Sequence, residues 1–228
     1  MIIQTGKTLN YLVIKNKSNT NPTLFLHGFS GSHQSWGKII DELDSYCIAL
    51  DIVGHGDSKF LNINYNYSID DWCSDLYYII DELEIDKIKL CGYSMGGRLA
   101  VAFAIKHPDR IEKLILESSS LGLIDDNHKT RRYKEDISLS KTIEQDIYKF
   151  TEKWEKNSLF SNQESRNKED FLKQKKIRLS HNPFQLSHAL KTFSQGNMDS
   201  YEDEFRKMNL SITSINGSED SKYLEIGK

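Results

Sequence analysis

The sequence predicts an α/β fold in which a mostly parallel central sheet is flanked by helices and a helical insertion precedes the last strand. Three observations predict it. Short, almost continuously apolar runs alternate with helical stretches through the first half of the 228-residue chain, as expected of parallel strands buried on both faces. From Lys129 to Arg178 there is only charged, helical sequence. Strand character then returns once, at "LSITSINGSED" (Leu210 to Asp220).

The elements follow in order. "NYLVIKN" reads as an opening strand, "TLFLHG" (Thr23 to Gly28) as a short buried one, and "CIALDIVGHGDS" as a third that runs into a loop. "SIDDWCSDLYYIIDELEI" carries Ile69, Trp72, Leu76, Ile79, Ile80 and Leu83 at helical spacing, with Ser68 as N-cap. "KIKLCGYS" is a strand and "MGGRLAVAFAIKH" a helix that Pro108 closes. "IEKLILES" is a further buried strand, and "PFQLSHALKTFSQG" a late helix. The expected organisation is one domain, with 1–125 and 206–228 as core and 126–205 as a helical lid.

Composition narrows the function classes. With 38% hydrophobic residues the chain supports one ordinary core, and a net charge of −3 gives no reason to expect nucleic acid or an anionic membrane as partner. No apolar run approaches the ~18 residues of a membrane span, and the N-terminus lacks a signal-peptide pattern. Cys47, Cys73 and Cys91 form no close pair, which suits reduced thiols in the cytoplasm. No metal-ligand spacing is present, and the surface pattern calls for no obligate interface, so monomer or weak homodimer is expected. The insertion is different in charge: 14 Lys and Arg stand against 9 Asp and Glu between Lys129 and Arg178. That surplus fits a polyanionic ligand, although most of its lysines read as a solvated face.

Chemistry concentrates at Gly92-Tyr93-Ser94-Met95-Gly96. A serine between two glycines, at a strand-to-helix turn, is a nucleophile elbow: strained backbone pushes Oγ out at the carboxyl end of the sheet. "LFLHGFSGS" ends an earlier strand in His27-Gly28-Phe29. The backbone N–H groups of Phe29 and Met95 can then share one small space as an oxyanion hole. His27 reads as a structural histidine holding that loop, as do His55 and Asp57 in "DIVGHGDS". Arg98 lies one helical turn past Ser94, and two readings stand side by side: a salt bridge to a neighbouring strand, or a fork for a substrate carboxylate.

His-Gly-Phe, Gly-His-Gly-x-Ser and Gly-Tyr-Ser-Met-Gly-Gly, together and in this order, resemble the α/β-hydrolase superfamily, with its α/β-hydrolase fold, across the whole chain. Within it, "LHGFSGSHQSW" and "GYSMGGRLA" look like the menaquinone-pathway (vitamin K2) synthases of 2-succinyl-6-hydroxy-2,4-cyclohexadiene-1-carboxylate. "LGLIDDNHKTRRYKED", Trp154 and "KKIRLSHNP" in the lid agree. The resemblance implies a lyase that eliminates pyruvate from 2-succinyl-5-enolpyruvyl-6-hydroxy-3-cyclohexene-1-carboxylate, a small polycarboxylate, without metal or organic cofactor. It implies carboxylate grips from Arg98, from Arg131 or Arg132 (whichever faces inward) and from Arg178. Trp154 would pack over the substrate and Tyr93 would donate beside the serine. A Ser-His-Asp triad would remove a ring proton.

The superfamily's chain order is Ser, Asp, His. Asp220 in "INGSEDSKY" stands where the acid belongs, with Glu219 as neighbouring runner-up, but all seven histidines precede it. The triad histidine is therefore expected beyond Lys228, together with a last strand and helix, and this form is expected to be inactive; a substitute role for His188 is the disfavoured alternative. Two other readings are a serine carboxylesterase or C–C bond hydrolase using the same residues, and a catalytically dead fold acting as a ligand receptor. The intact elbow, oxyanion loop and acid speak against the last.

Overall fold

Alternation of side chains across the pleat decides how the sheet is covered. The structure is a computed structural model that describes residues 1–157, 163–218, 220 and 223. Its strands and helices run β1 (Ile2–Gln4), β2 (Thr8–Lys15), β3 (Thr23–Leu26), α1 (Gly37–Glu42), β4 (Cys47–Leu50), β5 (Lys59–Phe60), α2 (Ile69–Glu82), β6 (Ile88–Tyr93), α3 (Met95–Lys106) and β7 (Ile111–Glu117). Then come α4 (Asp126–Gln145), α5 (Ile147–Glu155), α6 (Gln163–Arg166), α7 (Lys168–Ser180), α8 (Pro183–Thr192), α9 (Glu202–Lys207) and β8 (Ser211–Ile215). Leu24, Leu26, Ile48, Leu50 and Leu90 join one core with Trp72, Leu76 and Phe103 of the helices. Phe25, Cys47, Ala49 and Cys91 point the other way, onto Trp36 and Ile40. Both faces are buried, which is why these strands read as continuous apolar runs.

The strand order is β1-β2-β4-β3-β6-β7-β8, with β5 paired to β2. Strands β4, β3, β6, β7 and β8 are mutually parallel, and β1, β2 and β5 form an antiparallel edge. Strands β1 and β5 are additions to the sequence reading. The first is half-exposed and the second only two residues long, too short to show a period. The order in which strands are laid down reverses between β3 and β6, and open α/β sheets bind ligands at such a switch point.

Helix α2 forms where its spacing predicts. All six apolar positions are buried, and Ser68 and Asp71 make a reciprocal capping box (Ser68 Oγ accepts from the Asp71 N–H at 3.1 Å, Asp71 Oδ2 from the Ser68 N–H at 2.9 Å). Helix α3 ends at Lys106, before Pro108. Helices α4 to α9 all lie between β7 and β8 in the chain. Among the described residues, no helix is long and apolar enough to cross a membrane.

Helix α3 touches the sheet backbone to backbone. A Cβ on Gly96 would collide with the carbonyl oxygens of Leu26 and His27. Gly96→Ala should therefore destabilise the fold by about 1–3 kcal/mol, the usual cost of overpacking, read as a lower urea midpoint at unchanged slope.

Candidate active site

Strands β3 and β6 pair with Leu26 opposite Gly92, so His27-Gly28-Phe29 and Tyr93-Ser94-Met95 leave the sheet side by side. Ser94 sits at φ 51°, ψ −109°, a left-handed conformation that costs a non-glycine residue about 1–3 kcal/mol. Three hydrogen bonds hold it there. The Ser94 N–H donates to the Glu117 carbonyl (2.9 Å), and the Ser94 carbonyl accepts from the Arg98 N–H (3.1 Å) and from Ser119 Oγ (3.2 Å). Phe29, Ser94 and Met95 line one cavity of about 310 Å³.

His27 is fully buried. Its Nε2 accepts the Ile52 N–H (3.0 Å), so its Nδ1–H donates to the Gly28 carbonyl (2.8 Å). Among the described residues every peptide is trans. Tying down the Gly28 carbonyl therefore turns the Phe29 N–H of the same planar unit the opposite way. Burial pulls the His27 imidazole down to about 4 and lowers His55 and His181 as well, so these rings are neutral near pH 7. His55 lies edge-on to Phe29, with ring centroids 5.6 Å apart. The Asp57 N–H donates to Asp51 Oδ2 at 2.9 Å, and Asp51 also accepts from the His33 N–H at 2.6 Å. His27 thus braces backbone through both ring nitrogens, while His55 packs against Phe29 by ring contact.

The arginines differ in how they are neutralised. Arg98 is 8% exposed and lines the Ser94 cavity. It donates to Met198 Sδ (3.2 Å) and to the Phe193 carbonyl (3.3 Å), and among the described residues it has no carboxylate partner. The salt-bridge reading is thereby overturned. Burial, with the like charge of Arg132, lowers its pKa to about 10. Arg132 lines the same cavity, with its Nε shared by both oxygens of buried Asp136 (3.0 Å each). Arg131 is exposed on the other side of α4, so of the two neighbours only Arg132 meets Ser94. Arg178 is buried and paired with Glu155 (3.1 Å). It lines a second cavity of about 300 Å³, which shares Phe29, Tyr93 and Trp154 with the first. Burial, with nearby Glu117, pushes the Tyr93 phenol up to about 12. Trp154 stacks edge-on over Phe29 at 5.4 Å. Asp220 lines the Ser94 cavity, and its Oδ1 accepts the Tyr223 N–H (3.2 Å); Glu219 lies outside the described residues.

The alpha/beta hydrolase fold family matches residues 21–206. The chain belongs to the α/β-hydrolase family. Within this family it falls with a Bacillus subtilis protein that carries the provisional name 2-succinyl-6-hydroxy-2,4-cyclohexadiene-1-carboxylate synthase. The two are 35% identical over 99% of this chain and 84% of that protein. A Haemophilus influenzae protein of the same provisional name is 26% identical over 90% of this chain and 83% of its own. Among solved structures, MenH from S. aureus superposes with a TM-score of 0.88 at 27% identity, covering 97% of this chain and 84% of that one.

Against the α/β-hydrolase order of triad residues, the serine and an acid share the cavity while none of the seven histidines lines it. His188 instead stacks on Phe60 at 4.5 Å. Asp136, Ser194 and Tyr223 were not anticipated. Asp136 could have been read from its i,i+4 spacing to Arg132. Ser194, whose Oγ donates to Asp136 Oδ2 at 2.7 Å, carries no such local signal.

Two measurements follow. His27 has a pKa near 4 when folded and about 6.5 when unfolded. The unfolded chain thus binds more protons between those values, and stability falls as pH drops through that window. His27 alone should cost about 2 kcal/mol between pH 7 and pH 5, seen in urea unfolding at the two pH values and smaller in His27→Asn. For the arginines, Arg131→Ala should change kcat/KM less than twofold, whereas Arg132→Ala should lower it about tenfold or more, by steady-state kinetics.

Proposed function

We propose that the protein is a carbon–oxygen lyase of menaquinone biosynthesis. It would eliminate pyruvate from 2-succinyl-5-enolpyruvyl-6-hydroxy-3-cyclohexene-1-carboxylate to give 2-succinyl-6-hydroxy-2,4-cyclohexadiene-1-carboxylate. The observation that carries the reading is Arg98: a buried guanidinium with no carboxylate partner among the described residues, in the cavity that holds Ser94. A cation taken out of water without a counter-ion is costly, and a substrate carboxylate supplies one. The likeness to the Bacillus subtilis and Haemophilus influenzae proteins supports the same substrate.

In this mechanism Ser94, as alkoxide, takes the acidic ring proton. The electron pair delocalises onto the succinyl ketone, whose oxygen receives the Phe29 and Met95 N–H groups. Collapse of that enolate breaks the C–O bond of the enolpyruvyl ether and forms the second ring double bond; the departing enolpyruvate takes up a proton as pyruvate. Arg98 and Arg132 hold carboxylates, with Arg178 in the adjoining cavity, and Trp154 and Tyr93 bound the site between the two. We read residues 126–205 as the lid, and the protein as a cytoplasmic monomer or weak homodimer. Asp220 would orient a triad imidazole. None of the seven histidines lines the cavity.

The test is pyruvate release from that cyclohexene by the purified protein. Ser94→Ala should lower kcat by ~10³-fold or more. Arg98→Met should cut kcat/KM about 10–100-fold, the worth of a charged hydrogen bond. Absence of pyruvate release alongside turnover of p-nitrophenyl acetate would replace the lyase by an esterase.

A further inference from the structure

The loop that carries Phe29 is held from a second side. Ser30 has φ 60°, a left-handed conformation that serine keeps only when its surroundings enforce it. Its carbonyl is bonded by His181 Nε2 (3.0 Å). The other ring nitrogen, Nδ1, accepts the Gly56 N–H (3.0 Å). A backbone N–H can only donate, so Nδ1 is the acceptor and the proton sits on Nε2, directed at Ser30. The next N–H along, that of Gly31, donates to the Gly28 carbonyl (3.0 Å), the oxygen that His27 also holds. The Gly28–Phe29 peptide and the Ser30–Gly31 peptide of this turn are therefore locked by two buried imidazoles: His27 from the end of β3, and His181 from the junction of α7 and α8 in the helical insertion.

We infer that His181 is a positioning residue for the oxyanion hole. By fixing the Ser30 carbonyl it holds the strained turn that aims the Phe29 N–H into the Ser94 cavity, and so makes the helical insertion part of the catalytic geometry. His181 touches no reacting atom; it is buried at 4% exposure and lines neither of the two cavities. Its ring spans three segments far apart in sequence: the Ser30 turn, the Gly56 loop and the end of α7. Burial keeps the ring neutral, which preserves the acceptor that Gly56 needs. Displacement of α7 and α8 would withdraw the Nε2–H donor from Ser30 and release the turn.

The effect on turnover rests on the lyase reading, so the experiment has two arms. The first is independent of substrate: the Phe29 amide resonance in ¹⁵N-phenylalanine-labelled protein, identified by its loss in Phe29→Tyr. His181→Phe keeps the ring and removes both hydrogen bonds, and should shift or broaden that resonance. His181→Gln can still donate to Ser30, and should return it towards wild type. The second arm is pyruvate release by the purified protein, where His181→Phe should lower kcat about 10–100-fold, less than outright loss of an oxyanion donor. KM should stay within twofold, and His181→Gln should recover most of the rate. Should His181→Phe not fold, His181→Ser, too short to reach Ser30, replaces it against His181→Gln. An unmoved Phe29 resonance in a folded variant overturns the inference, as does unchanged kcat in an active enzyme. If wild type releases no pyruvate, the lyase reading falls and the resonance arm alone decides the role of His181.

Discussion

The site depends on one steric constraint, the close approach of strand β6, helix α3 and the end of strand β3. A Cβ on Gly92 would stand 2.5 Å from the Gly96 carbonyl oxygen, and one on Gly96 would meet the end of β3. With no side chain in the way, the chain passes from strand to helix in a single residue, and that residue, Ser94, is forced to positive φ. The same approach brings Phe29 and Met95 to either side of the serine, because their strands are paired neighbours. Local strain at Ser94 and the nearness of Phe29 and Met95 in one cavity have a common origin in two missing side chains.

Charge around this elbow is graded. Arg178 is matched by Glu155, and Arg132 by Asp136, whose second support is Ser194. Among the described residues Arg98 has only a thioether and a backbone carbonyl, both weaker partners for a guanidinium than a carboxylate. Among the described residues the cavity thus contains one well-held cation and one without a matching anion. Below the loop the arrangement is reversed. There, buried imidazoles are kept neutral and serve as hydrogen-bond adaptors between backbone groups, a role that an ion in the same place would fill only at a large desolvation cost.

Much of the fold is legible in the sequence. Apolar runs at β3, β4, β6 and β7, helical spacing in α2 and a capping serine are local patterns, set by side-chain direction and backbone hydrogen bonding. The elbow and the adjoining His27-Gly28-Phe29 loop are legible for the same reason: glycine spacing around a serine leaves few backbone paths. The edge strands β1 and β5 are not, since two or three residues hold no period.

The sequence by itself determined the parallel sheet, the place of Ser94, Phe29 and Met95 at its carboxyl edge, and the presence of arginines near it. Tertiary structure alone decided which of Arg131 and Arg132 enters the cavity. Adjacent helical residues point about 100° apart, and only the docking of α4 selects one. It also decided that Arg98 lacks a carboxylate partner among the described residues, and that His181 reaches Ser30 across 151 residues. Such pairings are set by how separate elements pack, and no local pattern of residues encodes the distance between them.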